Sequence, residues 1–258
     1  MSDYQVFFLG EDQRSLRIEE QEFYYDQARK RLLSQFDSIG DEATAAGQEW
    51  LDRPAPWFDP DVHDPASSYE QAYEAEIDHY LMLFNLQNQT RLSVVSGFFH
   101  EWEKNVKEWM SSEVGYWCRE PAAIAAIWKL QVRATLQLLG NFGLVIPDAD
   151  HIVRLDACRL VVNVYKHGAG PSLLELATKY PDYLNREFAS NAESDLSLQS
   201  MAYRDLRIDD EQVEAFSDAV ITFWKELPER RYASEVDEWP KWFTDICGGA
   251  RGRTEIGG

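Results

Sequence analysis

Three polar residues interrupt an apolar run at four-residue intervals: Arg159, Asn163 and His167 in "CRLVVNVYKHGAG", residues 158–170. An arginine offers a fork of donors that fits phosphate oxygens. A histidine moves a proton near neutral pH, and an asparagine amide can orient either group or a substrate. Lys166 adds a second cation. Such a set suits phosphate handling, and nothing in that chemistry requires a metal or another cofactor. The competing reading is a helix flank with ordinary polar decoration. His167 would then bond to its own helix end, where the peptide dipoles favour a cation.

The element that must position these residues reads as a helix opened by Pro147-Asp148. Leu155, Cys158, Val162 and Tyr165 keep helical spacing. The valines favour a strand, but an isolated strand would have no partner. At 100° per residue, Arg159, Asn163 and His167 fall about 40, 80 and 120° from Leu155. They line one flank of the buried face, where a cleft or interface begins. Lys166, about 20° from Leu155, points near the apolar face and must snorkel. Gly168 and Gly170 end the helix and allow another backbone to approach closely.

Helical signals dominate elsewhere. Residues 15–36 are charged and free of Gly and Pro. Residues 39–66, with Pro54, Pro56, Pro60 and Pro65, read as an ordered loop or linker. A long helical run covers 68–113, opened by the Ser68/Gln71 capping pattern. It steps through Leu92, Val95, Phe99, Trp102, Val106 and Trp109, and "QNQT" at 87–90 is a candidate break. Further helices are expected over 121–139, from Ser172/Glu175 to Lys179, and from Asp209/Gln212 through Val213, Phe216, Val220, Trp224 and Leu227. Residues 182–206 read as irregular and the tail "GGARGRTEIGG" as mobile. "YQVFFLG" is the one candidate for a short strand. The expected fold is all-α, a helical bundle with an N-terminal helical extension. Its parts are residues 1–66, a bundle over 67–228, and a C-terminal segment over 229–258.

The helix around His167 resembles the signature helix of HEPN-domain proteins, helical proteins that often act as metal-independent RNases. The family pattern is Arg, four to six intervening residues of which the first is commonly Asn, then His and often Gly. Asn163, His167 and Gly168 match it. The flanking stretches "SGFFHEWEKNVKEW" and "DDEQVEAFSDAVITFWKEL" look like neighbouring helices of several members, so the resemblance spans roughly 68–228. Where the family's Arg commonly sits, this sequence has Val162. The nearest Arg is Arg159, with seven residues between it and His167. The resemblance implies a dimer in which Arg159 and Lys166 hold a scissile phosphate. His167 moves protons as an RNA 2′-hydroxyl attacks, and Asn163 orients the group. It also implies a toxin or antiviral defence setting. With Arg159 as a failed substitute, the same helix belongs instead to an inactive interaction protein.

The bulk sequence bears on that choice. The net charge is −20 over 258 residues, which disfavours non-specific nucleic-acid binding and suits a basic protein partner. The stretch 119–179 is the exception, with seven Lys/Arg against five Asp/Glu. A third reading is an acidic inhibitor that mimics nucleic acid. No membrane span or signal peptide is evident. The three cysteines, Cys118, Cys158 and Cys247, read as buried or free thiols in a reducing compartment, so a cytoplasmic protein is expected. "EIDH" (Glu76, His79) and "DADH" (Asp148, His151) approach a di-iron spacing, and "HEWEK" (His100–Lys104) half of a zinc helix. Both are incomplete, so no metal site is expected. "RPAPWFDPDVHDP" reads as an ordered cap or a partner-docking loop.

Overall fold

The computed structural model describes residues 3–53, 65–185, 203–236 and 238–254. The fold is all-α, with one small antiparallel ribbon. In chain order the elements are β1 Gln5–Phe8, α1 Glu11–Arg31, α2 Ile39–Asp52, α3 Pro65–Trp117, α4 Pro121–Lys129, α5 Val132–Asn141, α6 Asp150–His167, α7 Pro171–Lys179, α8 Asp210–Glu226, β2 Arg230–Tyr232 and α9 Lys241–Thr254. The chain forms two compact units: Met1–Tyr25 with Val94–Gly258, and Asp26–Ser93.

In the larger unit, the apolar stripes of α3, α6 and α8 form the core. Trp102, Val106 and Trp109 of α3, Leu155 and Val162 of α6, and Phe216 and Phe223 of α8 are all buried. Trp102 meets Phe223 edge to face at 5.2 Å between ring centroids, a favoured aromatic geometry. β1 is buried at Val6 and Phe7 and pairs with β2, Phe8 opposite Arg230. A two-stranded ribbon is marginal alone. Here α3 satisfies three further backbone groups of β1. The Trp109 and Trp117 indoles donate to the carbonyls of Phe8 and Val6, each at 2.9 Å. The Phe8 amide donates to Glu113, also at 2.9 Å. Gly143 has φ 65°, and a Cβ there would collide with the Arg231 guanidinium, which donates to the Phe142 carbonyl at 2.8 Å.

In the smaller unit, α2 packs on α3 through small residues. A Cβ on Gly47 would lie 3.1 Å from the Ala72 carbonyl oxygen. The Thr44 hydroxyl donates to Glu76 at 2.9 Å.

Several elements differ from the sequence reading. Residues 39–52 form α2 rather than loop; the prolines begin only at 54, after a stretch of Ala, Glu and Gln that carries a helix. The proline-rich stretch 54–64 lies outside the described residues. α3 runs unbroken through "QNQT", where the Thr90 hydroxyl bonds back to the Leu86 carbonyl at 2.8 Å. The expected helix 121–139 is two helices, parted by extended backbone at Leu130 and Gln131. In one continuous helix, buried Ala123 and Val132 would sit about 180° apart, and the break turns both inward. Of the three capping boxes only Asp209/Gln212 forms. Ser68 lies inside α3, and α7 starts at Pro171 after an uncapped Gly170. The tail is helical to Thr254; residues 186–202 and 255–258 lie outside the described residues.

The cysteine reading is corrected as well. Cys118 and Cys247 form a disulfide across a sequence separation of 129, because the fold brings the end of α3 against α9. Cys158 alone is a free, buried thiol, and burial pushes its pKa well up. With the pairing, cysteine usage no longer argues for a reducing compartment. Among the described residues, no helix is long and apolar enough to cross a membrane.

Candidate functional site

The α6 flank is built by three helices of the larger unit. The apolar side of α6 is held in the core, with Leu155, Cys158, Val161 and Val162 at 1% exposure or less. That fixes the rotation of the helix. Asp156, Arg159 and Asn163 are half-buried at its edge, and Lys166 and His167 are exposed at its end. Lys166 needs no snorkelling path. Val162 sits inside the core.

Arg159 does not face solvent. Its side chain is 11% exposed, and Nε and Nη2 donate to Asp156 Oδ1 at 2.9 and 2.7 Å. Nη2 also reaches Glu175 Oε1 of α7 at 3.4 Å. Lys179 Nζ donates to Glu175 Oε1 at 2.6 Å and lies 3.6 Å from Asp156 Oδ2. The Tyr180 hydroxyl donates to Asp156 Oδ2 at 3.2 Å. Arg133 of α5 approaches Glu175 at 3.7 Å. The Lys179 hydrogen bond, then the charge of Arg159, holds the Glu175 carboxyl below the usual range. Burial, then the neighbouring Asp156, pushes the Tyr180 phenol up.

This is a network of charge-assisted hydrogen bonds. Three cations share two carboxylates, and Arg159 donates to them through Nε and Nη2. His167 stands elsewhere. Eight residues of helix separate it from Arg159, about 12 Å of rise and about 80° of rotation. The side chains of His167, Lys166 and Asn163 make no hydrogen bond or ion pair among the described residues. The structure therefore joins Arg159 to Asp156, Glu175, Lys179, Tyr180 and Arg133, and leaves His167 outside that group. The sequence reading missed these five partners. Asp156–Arg159 and Glu175–Lys179 are legible as i,i+3 and i,i+4 helix pairs. Their meeting across α6 and α7 is not, because it depends on how the helices pack.

The other polar motifs resolve differently. His151, in the first turn of α6, borders a cleft of about 370 Å³ with Asp150, Arg154, Asp218, Thr222 and Glu226. Its Nδ1 lies 3.6 Å from Glu226 Oε2, and its side chain is 10% exposed. In "HEWEK", Trp102 is core. Glu103 accepts from Lys107 at 2.7 Å, and Lys104 pairs with Glu101; neither carboxylate reaches α6 through these bonds. Glu76 of "EIDH" is the acceptor for Thr44. Among the described residues, no group of three or more His, Cys, Asp or Glu is placed to hold a metal ion. Comparison of the chain with protein-family models, with curated proteins and with solved structures gives no match.

Proposed function

We propose that this chain is a HEPN-like helical protein whose signature helix is structural, and that it acts as an acidic module binding a basic protein partner. The observation that carries this reading is the commitment of Arg159 to Asp156 and Glu175. A phosphate would have to compete with two carboxylates already in contact, and releasing Arg159 would take from both of them their most enclosed cation, leaving Lys179 and Arg133 to answer them. His167 is too far along the helix to act on a group that Arg159 holds. The net charge of −20 favours a cationic partner and repels a nucleic acid.

A second reading, a metal-independent endoribonuclease of toxin or antiviral type, draws support from one feature. Lys166 and His167 are exposed side by side where α6 ends, next to Gly168 at φ 73°. A second copy presenting the same end could complete a site there with Asn163.

RNA cleavage in EDTA, by the wild-type chain beside His167→Ala, separates the two. The binding-module reading expects both proteins to be inactive. Cleavage by the wild type that His167→Ala abolishes would overturn it and establish the RNase.

A further inference from the structure

The geometry points to a docking face for a basic amphipathic helix of a partner protein. Tyr69, Tyr73, Ile77 and Tyr80 stand exposed along one side of α3, beside the carboxylates of Glu70, Glu74 and Asp78. This rests on the binding-module reading above and names the surface within the smaller unit that would do the binding.

The exposure is large for aromatic side chains: 67% for Tyr69, 63% for Tyr73 and 41% for Tyr80, with Ile77 at 39%. Their positions are not scattered. At 100° per residue all four fall within about 80° of one another on the helix surface. They form a straight apolar strip about 16 Å long, with Tyr80 stacked on Phe84 beyond it at 6.2 Å between centroids. α2 does not cover this strip. It packs on Ala72 and Glu76, about 60° and 20° from Tyr69 on the side away from Ile77, so it borders the strip while the tyrosines stay exposed. A contiguous exposed apolar patch rimmed by charge is the usual mark of an interaction site.

The rim is of one sign. Glu70, Glu74 and Asp78 follow the strip on its other side, at about 100, 140 and 180° from Tyr69. All three are exposed and have no ion-pair or hydrogen-bond partner among the described residues. Residues 37–78 as a whole contain twelve Asp/Glu and one Lys/Arg, Arg53. A second copy of this chain would bring carboxylates against carboxylates, and a nucleic acid would bring phosphates. A partner helix with apolar residues at i, i+3/i+4 and i+7 and with Arg or Lys beside them satisfies both features. Its apolar side lies on the strip. Its cations pair with the carboxylates or stack on the tyrosine rings. Three tyrosines supply rigid anchors with a polar tip, which suits them to a surface wet in the free protein and buried in the complex.

The test uses the full chain and a fluorescent helical peptide of Arg and Leu with one apolar face. A scrambled peptide of the same composition and no apolar face serves as the reference. The proposal expects tighter binding of the amphipathic peptide. It expects Tyr69→Ser/Tyr73→Ser/Tyr80→Ser to weaken that binding about tenfold or more, with helicity by circular dichroism unchanged, since the three side chains are exposed. A second variant, Glu70→Gln/Glu74→Gln/Asp78→Asn, should weaken it too and flatten its salt dependence. Glu211→Gln/Glu214→Gln, on α8, should leave it as in the wild type. Peptide binding that ignores the tyrosine variant would sink the docking face and leave the acidic-module reading standing. Absence of binding to either peptide would sink both. Sedimentation of the chain alone adds the last outcome. Self-association that the tyrosine variant abolishes would make a second copy the occupant and overturn the proposal for a basic partner.

Discussion

The α6 flank and the exposed side of α3 are both rich in polar and charged groups, and they differ in who answers those groups. On α6, each charge near Arg159 has an opposite charge from its own helix or from α7. On α3, a row of carboxylates lies along an aromatic strip with no counter-charge among the described residues. The first pattern is what a fold does with charges it must half-bury: a charge leaving water needs a partner or costs several kcal/mol. The second is what a fold leaves when exposure itself has a use. A motif search is drawn to the first region, because Arg, Asn and His look like chemistry. The unanswered surface is in the second.

Three changes sharpen or break this contrast, in order of expected size. The largest concerns the covalent link, since all three cysteines belong to the unit that holds α6 and none to Asp26–Ser93. Reduction, or Cys247→Ser, removes a cross-link spanning 129 residues and should lower unfolding free energy by about 2–5 kcal/mol. Hydrogen exchange should speed up in α4 and α9 and stay as it was over residues 69–84. An unchanged urea midpoint after full reduction would contradict the described pairing.

Next in size is Asp156→Ala, which takes an acceptor from Arg159, Tyr180 and Lys179 together and leaves a guanidinium that is 11% exposed with only the longer contact to Glu175. A loss of about 2–3 kcal/mol in urea unfolding is expected, partly recovered in Asp156→Ala/Arg159→Met. A change below about 0.5 kcal/mol would mean that Arg159 is not committed, and the RNase reading would regain its arginine.

The smallest effect is a pH slope. Glu175 is held below its ordinary value by Lys179 and then Arg159. Its contribution is present above the unfolded glutamate value of about 4.3. It fades as pH falls through the lower folded value. Glu175→Gln should flatten the acid limb of stability by less than about 1 kcal/mol, while the Glu70/Glu74/Asp78 variant leaves stability within about 0.5 kcal/mol. A larger acid-limb change in the α3 variant than in Glu175→Gln would reverse the contrast drawn above.

Much of the fold was legible in residue order. Leu92 to Trp109 and Val213 to Leu227 show their buried faces through spacing alone, and Asp209/Gln212 marks a helix start that forms as expected. The misreadings share a cause. Ser68/Gln71 and Ser172/Glu175 carry the capping pattern, but helix starts at Pro65 and Pro171 leave them no terminus to cap. The 121–139 helix breaks at residues with no Gly or Pro, because burying Ala123 and Val132 together outweighs one uninterrupted hydrogen-bond ladder.

For the candidate site the division is sharper. The sequence by itself determined that α6 exists, which side of it is apolar, and that Arg159, Asn163 and His167 share its flank. These follow from local periodicity, which a helix imposes on any chain. Only the tertiary structure decided that Arg159 is enclosed by Asp156 and Glu175, that Cys118 meets Cys247, and that the β1 edge is completed by Trp109, Trp117 and Glu113. Each of these joins residues from separate elements, and their meeting depends on the angle and rotation at which whole helices pack. That is set by the summed shape of the core and is written in no single stretch of sequence.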